Sequence, residues 1–242
     1  MPEPPSERTT VRRLPKRGAY ERQTVDAILD EALICHVGFV HPEGHPVVIP
    51  TIHARRGEHL YLHGSPANQM LRNAKRGIEV CVTVTLLDEL VLARSAFHHS
   101  MNYRSVVVFG EAVEVTDADE KRAVLLDFVD HVAPGRSTEA RPPNDKELAG
   151  TLVLRLPLDE ASAKIRTGPP IDDDEDLDLP IWAGVLPLPV RPSQPVPSPD
   201  LRVTVDLPTS VTAYRRPRAS PVPRPEGGGS PDGPPSAPDP TR

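Results

Sequence analysis

The apolar positions of this chain change period several times, and each change marks an element. Over residues 21–33 they fall at Val25, Ile28, Leu29, Ala32 and Leu33, the spacing of one helical face. Residues 34–40 follow as a strand, and His41-Pro42-Glu43-Gly44-His45-Pro46 is a turn on composition. Residues 47–54 predict the return strand, 55–58 a second turn and 59–63 a third strand. Connections this short join antiparallel neighbours and leave no room for crossover helices. Residues 66–75 read as a short helix with Pro66 in its first turn, where proline fits. Ile78, Val80, Val82, Val84 and Leu86 then alternate with Glu79, Cys81, Thr83 and Thr85, the period of a half-buried strand. A short strand over 89–93 and a long one over 103–115 come next, with Gly110 a position for a bend or bulge.

Thr116-Asp117-Ala118-Asp119 has the form of a capping box with Asp in the last place. It predicts a helix to Val132 that buries Val124, Leu125, Phe128, Val129 and Val132 and stops at Pro134-Gly135. A helical turn over 144–149, strands over 151–156 and 161–167 and an acidic, solvated loop over 172–178 follow. After that loop comes the only tryptophan, Trp182. Many short strands, mostly hairpin-linked, with helices between and at the ends, predict an α+β fold on a small β-barrel.

Composition sets the limits of that domain. The 31 prolines are concentrated towards the C-terminal end, and residues 217–242 have almost nothing apolar to bury. They are expected to be a disordered Pro/Gly-rich tail. Residues 1–13 are similarly polar and expected to be flexible, which leaves 14–216 as one domain of ordinary size. A net charge of -6 argues against nucleic-acid binding. No apolar run is long enough to span a membrane, and residues 1–7 lack the basic and apolar regions of a signal peptide. Cys35 and Cys81 sit in apolar runs and read as buried thiols, so the expected compartment is the cytoplasm.

The common loop and nucleophile motifs for nucleotides, hydrolases and zinc proteases do not occur. The histidines do not assemble a metal set by spacing: His98 and His99 are neighbours, which face opposite ways on an extended strand. Two donor-rich junctions stand out instead. In 97–111 a polar, His-rich segment runs through Tyr103-Arg104-Ser105 into Val106-Val107-Val108, and in 62–68 a strand passes through His63-Gly64-Ser65 into a helix. Donors gathered at strand entrances suit a phosphorylated, ring-bearing ligand, a flavin being the leading case. At Gly64 the backbone can approach a ligand closely, and a helix N-terminus offers free N–H groups to an anion. Competing structural roles stand beside each assignment. Ser65 suits a helix cap, His63 a histidine held by a carbonyl, Arg104 a salt bridge and Trp182 a hydrophobic clasp.

These residues, in this order, resemble the FMN-binding split-barrel family related to pyridoxamine 5'-phosphate oxidase, with the closest likeness to its nitroimidazole-resistance branch. The resemblance rests on residues 28–40, Val48-Ile49-Pro50-Thr51, residues 60–65 with Met70-Leu71-Arg72-Asn73, and residues 102–110, and covers about 18–167. It implies a six-stranded antiparallel split β-barrel with short flanking helices, and a homodimer with FMN sites at its interface. It places the cofactor against Ile49, Pro50, Thr51, His63, Gly64, Ser65, Asn68, Met70, Tyr103, Arg104, Ser105 and Trp182. The phosphate falls near His63, Gly64, Ser65 and Asn68, and His63 is the candidate proton donor. The implied activity passes electrons from reduced flavin to a nitroaromatic, a quinone or oxygen. A non-catalytic flavin-binding or sensing protein is the alternative, and 5-deazaflavin or haem are alternative ligands. The basic substrate-holding residues of true pyridoxamine phosphate oxidases are not apparent, which argues against that reaction.

Overall fold

A computed structural model describes residues 2–215. Along the chain run β1 (Gly18–Ala19), α1 (Arg22–Glu31), β2 (Cys35–Val40), β3 (Pro46–Thr51), β4 (His53–Arg56), β5 (His59–Gly64), α2 (Gln69–Lys75) and β6 (Glu79–Leu92). They are followed by β7 (Ser100–Glu111), β8 (Val113–Glu114), α3 (Ala118–Val132), α4 (Asp145–Ala149), β9 (Leu152–Pro157), β10 (Ala161–Arg166), β11 (Gly184–Pro187) and α5 (Thr209–Thr212). The strands form two antiparallel sheets. The larger has the order β1-β10-β7-β6-β2-β3, with β11 added to β6, and the smaller β4-β5-β9-β8.

The period-two pattern decides what lies between them. Val37, Val80, Val82, Val84, Val106 and Val108 of the larger sheet pack in one core with Leu60, Leu62, Leu154 and Leu156 of the smaller. Val25, Ile28 and Leu29 of α1 and Met70, Leu71 and Ala74 of α2 join the same core. Each such aliphatic side chain contributes roughly 1.5–3 kcal/mol of transfer free energy. A second cluster, with Ala54, Tyr61 and Val153, packs the other face of the smaller sheet against Val124 and Phe128 of α3.

The α+β class holds, but the strands do not close into one six-stranded barrel. They divide between sheets of seven and four strands. The run 47–54 is not one strand: Ile49 and Thr51 pair with Val37 and Cys35 in the larger sheet, whereas His53 pairs with Leu62 in the smaller. Ile52 sits at the crossing. The run 103–115 also changes sheet, because β7 ends at Glu111 and Val113 pairs with Arg155. Just before that change a Cβ on Gly110 would lie 3.0 Å from Leu156 Cδ1, so glycine is what lets the two sheets approach there. Conversely, 78–86 and 89–93 merge into the single long β6, irregular between Leu87 and Glu89.

Helix starts move by a residue or more. α3 is capped by Asp117, which accepts from the Glu120 amide, and Val132 at its end is exposed rather than buried. The acidic loop is anchored rather than simply solvated. Asp172 accepts from the Arg94 amide at 2.8 Å and from Arg94 Nη1 at 2.9 Å. In the segment before Leu14, Arg8 stacks over Phe109 and pairs with Glu79 and Glu160. The stretch 217–242 lies outside the described residues.

Candidate functional site

Alternation along β7 divides the Tyr103-Arg104-Ser105 run. Arg104 reaches α1 and the β6 bulge. Its Nη1 donates to Glu31 Oε2 at 2.6 Å, and its Nη2 and Nε donate to the two Asp88 oxygens at 2.7 and 2.9 Å. Hydrogen bonds to Asp88 foremost, and to Glu31, raise its pKa against the opposing effect of burial and hold this guanidinium firmly charged. Tyr103 and Ser105 stand on the opposite face, where Ser105 Oγ donates to the Lys164 carbonyl. The three donors therefore do not converge.

The second junction lies on the other sheet. His63 alternates with the core residue Leu62 and turns towards α3, its ring 4.1 Å from that of Phe128. Its Nδ1 is buried without a hydrogen-bond partner, and burial lowers its pKa, so the ring is neutral at pH 7. Gly64 is closely packed, because a Cβ there would stand 3.0 Å from Leu71 Cδ1. Ser65 Oγ accepts from the Ala67 amide and Asn68 Oδ1 caps α2 at the Leu71 amide, so both side chains have local partners. Met70 is in the core at 2% exposure, and Ile49 packs against that core from β3. Within one subunit, then, the His63–Asn68 junction and the Tyr103/Ser105 face lie on different sheets with the main core between them.

The outer face of the larger sheet carries two rows that combine ring-sized apolar surface with polar groups. One runs Pro50, His36, Thr83, Val107 and Ser162, and the next-but-one Leu87, Tyr103 and Arg166. Val48, from β3, is 65% exposed on the same face. Arg166 lies in no sequence motif, and Asn102 belongs to the 102–110 motif but not to the expected cofactor contacts. The available signal was two basic positions, Lys164 and Arg166, at period two in a strand otherwise rich in Ala and Ile. Trp182 is largely exposed, and its indole lies over Gly184, where a Cβ would be 2.9 Å from two ring atoms. Replacing Gly184 by alanine is expected to shift the emission of this single tryptophan while stability changes by less than about 1 kcal/mol. Unaltered emission would show that the indole does not rest there.

Among the described residues, two groups of His and acidic side chains bring ligand atoms within 4.8 Å of one another, His41–Glu43–His45 and His98–Asp172–Asp176. In the first, both His41 nitrogens already have partners, Gln69 Nε2 and the Glu43 amide. In the second, Asp172 is taken up by Arg94.

Two packed antiparallel sheets with flanking helices define an α+β protein with an open, mixed apolar and polar outer face. The chain belongs to the pyridoxamine 5'-phosphate oxidase family, whose model matches residues 21–165. It is similar to the flavocytochrome Anf3 of Azotobacter vinelandii, with 41% identity, a TM-score of 0.81, and 88% of this chain and 99% of that one covered. It is also similar to the FAD and haem binding protein of Mycobacterium smegmatis, with 38% identity, a TM-score of 0.77, and 81% and 96% covered. A putative 5-nitroimidazole antibiotic resistance protein of Bacteroides thetaiotaomicron matches at 26% identity and a TM-score of 0.52, over 61% of this chain and 86% of that one. No curated protein matches the chain. No helix among the described residues is long and apolar enough to cross a membrane.

Proposed function

We propose that this chain is a homodimeric flavin-nucleotide protein that passes electrons between bound flavin and a small acceptor such as a nitroaromatic, a quinone or oxygen. The observation that carries this reading is the 41% identity to a flavocytochrome over nearly the whole of both chains. The residues present fit such a group in kind. Leu87, Tyr103 and Val107 offer surface for an isoalloxazine, Arg166 offers donors, and the orphaned Nδ1 of His63 is a polar atom without a partner. The two junctions sit on different sheets of one subunit, so a site that uses both draws them from two subunits, in keeping with a dimer. Bound flavin supplies the redox chemistry, and this chain supplies the platform, the charge and the exclusion of water. FMN is the nucleotide expected from the sequence, and FAD is the one named for the mycobacterial relative. The free thiols of Cys35 and Cys81 support a reducing, cytoplasmic setting.

A second reading, haem alone or with flavin, is favoured by the same two relatives. It is also favoured by His36, which is exposed on the outer face with no hydrogen bond to either nitrogen. That imidazole would be the group to hold a haem iron, were haem bound. The test is the visible spectrum of the purified protein, with mass identification of what denaturation releases. Flavin bands with released FMN or FAD are expected, and a Soret band lost in His36→Ala establishes the haem. A colourless protein that takes up neither added flavin nor haem overturns both readings, and a released deazaflavin replaces the first.

A further inference from the structure

Arginines that are half-buried or buried in this chain have carboxylate partners. Arg22, Arg55, Arg94, Arg104, Arg122, Arg136 and Arg155 each lie within 4.0 Å of an Asp or Glu oxygen. Arg166 and Arg17 are the exceptions among the described residues, and Arg166 is the more buried of the two at 7% exposure. Its hydrogen-bond partner is neutral: Nη1 donates to Asn102 Oδ1. Asn102 is itself 1% exposed, and its amide is turned away, donating to Glu89 Oε2 at 2.6 Å and to the Gly168 carbonyl at 3.0 Å. The carboxamide thus orients the guanidinium without cancelling its charge.

Register adds a second cation. Gly18 pairs with Lys164, so Arg17, immediately before it, comes alongside the end of β10, while Tyr103 faces Arg166 from β7. Burial and the neighbouring Arg17 charge both lower the Arg166 pKa, the reverse of what every carboxylate-paired arginine with a resolved shift shows here. A fixed charge kept from water with a like charge beside it is costly unless an anion completes it.

We infer that Arg166, oriented by Asn102 and joined by Arg17 and Tyr103, is a built receptor for an oxyanion, a phosphate or a carboxylate. The forked guanidinium matches either group through two parallel N–H bonds. The site stands whether or not the chain binds flavin. Its oxyanion belongs either to the flavin nucleotide's phosphate or to a separate small anionic substrate, and the two sources separate in competition.

The probe is inorganic phosphate, titrated against the full chain free of flavin at constant ionic strength and read by calorimetry and by thermal midpoint. Saturable binding is expected, weakened about tenfold or more in Arg166→Met and unchanged in Arg12→Gln, which removes an exposed charge. If Arg166→Met does not fold, Arg166→Lys, which keeps the charge and loses the fork, is expected to lose affinity in the same direction. No binding by the parent, or equal binding by the Arg166 variants, overturns the receptor. Phosphate that displaces added FMN assigns the oxyanion to the nucleotide. Phosphate that still binds the FMN-loaded protein assigns it to a substrate. A chain that binds phosphate but no flavin keeps this site while the flavin reading fails.

Discussion

Replacing Arg104 by methionine lowers the stability of the fold by roughly 3 kcal/mol, the usual cost of removing one member of a buried ion pair. The side chain is 13% exposed and joins Glu31 on α1 to Asp88 beside the β6 irregularity. Without it the Glu31 carboxylate, whose side chain is only 10% exposed, loses a cation that helps to offset its desolvation. Asp88 is more open and recovers water, so most of the loss resides in the Glu31 half. Urea unfolding measures the effect, and the double variant with Glu31→Gln regains part of it because a poorly solvated charge is then gone. A loss below about 1 kcal/mol, accompanied by failure to bind flavin, would show that Arg104 serves a ligand instead of the fold.

Acid weakens the fold in a window set by histidines. His53 is fully buried, donates from Nε2 to the Leu29 carbonyl at 2.9 Å, and has no partner at Nδ1. The His131 ring lies 4.8 Å away and donates to the Ala32 carbonyl. Burial foremost, then the neighbouring His131, lowers the His53 pKa to about 4. Between the ordinary value near 6.5 and that figure, the unfolded chain takes up a proton that the folded chain refuses. The stabilisation is therefore complete above 6.5 and is lost as pH falls, by roughly 2 kcal/mol at pH 5 and roughly 3 kcal/mol at pH 4. His63 and His131, lowered mainly by burial, act in the same direction. Urea midpoints at pH 7.5, 6 and 5 read this before most carboxylates titrate, and His53→Gln flattens the curve. A midpoint constant from pH 6.5 to 5 contradicts the account.

The elements were legible wherever one face is buried and the other wet. Val80, Val82, Val84 and Leu86 are all in the core, as their alternation required. What the pattern does not carry is which sheet a strand joins. Residues on both sides of Ile52 and of Ala112 are extended and partly apolar, and period two is identical in either sheet. The two sheets and their unclosed topology are therefore set by tertiary pairing alone. At the candidate site, closeness in sequence does not carry over to closeness in space. Alternation sends Arg104 to α1 while Tyr103 and Ser105 remain on the outer face with Arg166, a residue 61 positions beyond Ser105 that no local motif marks. The likeness of residues 21–165 to the family was readable because it depends on the order of short motifs, which survives even where each motif's geometry is misjudged.

β11 has a meaning for solubility. Along its edge away from β7, β6 is covered by β2 only from Val80 to Thr83, and β11 returns to cover Glu89 to Leu92. Uncovered, Leu90-Val91-Leu92 would offer open amides and carbonyls on an apolar, β-prone stretch, a template for cross-molecular pairing. β11 occupies that template and ends in Pro187, with Pro189 two residues on, neither of which has an amide hydrogen to extend the ladder. A segment beyond the family-matched region thus acts as a terminator of sheet growth, guarding the molecule against polymerisation along its longest strand.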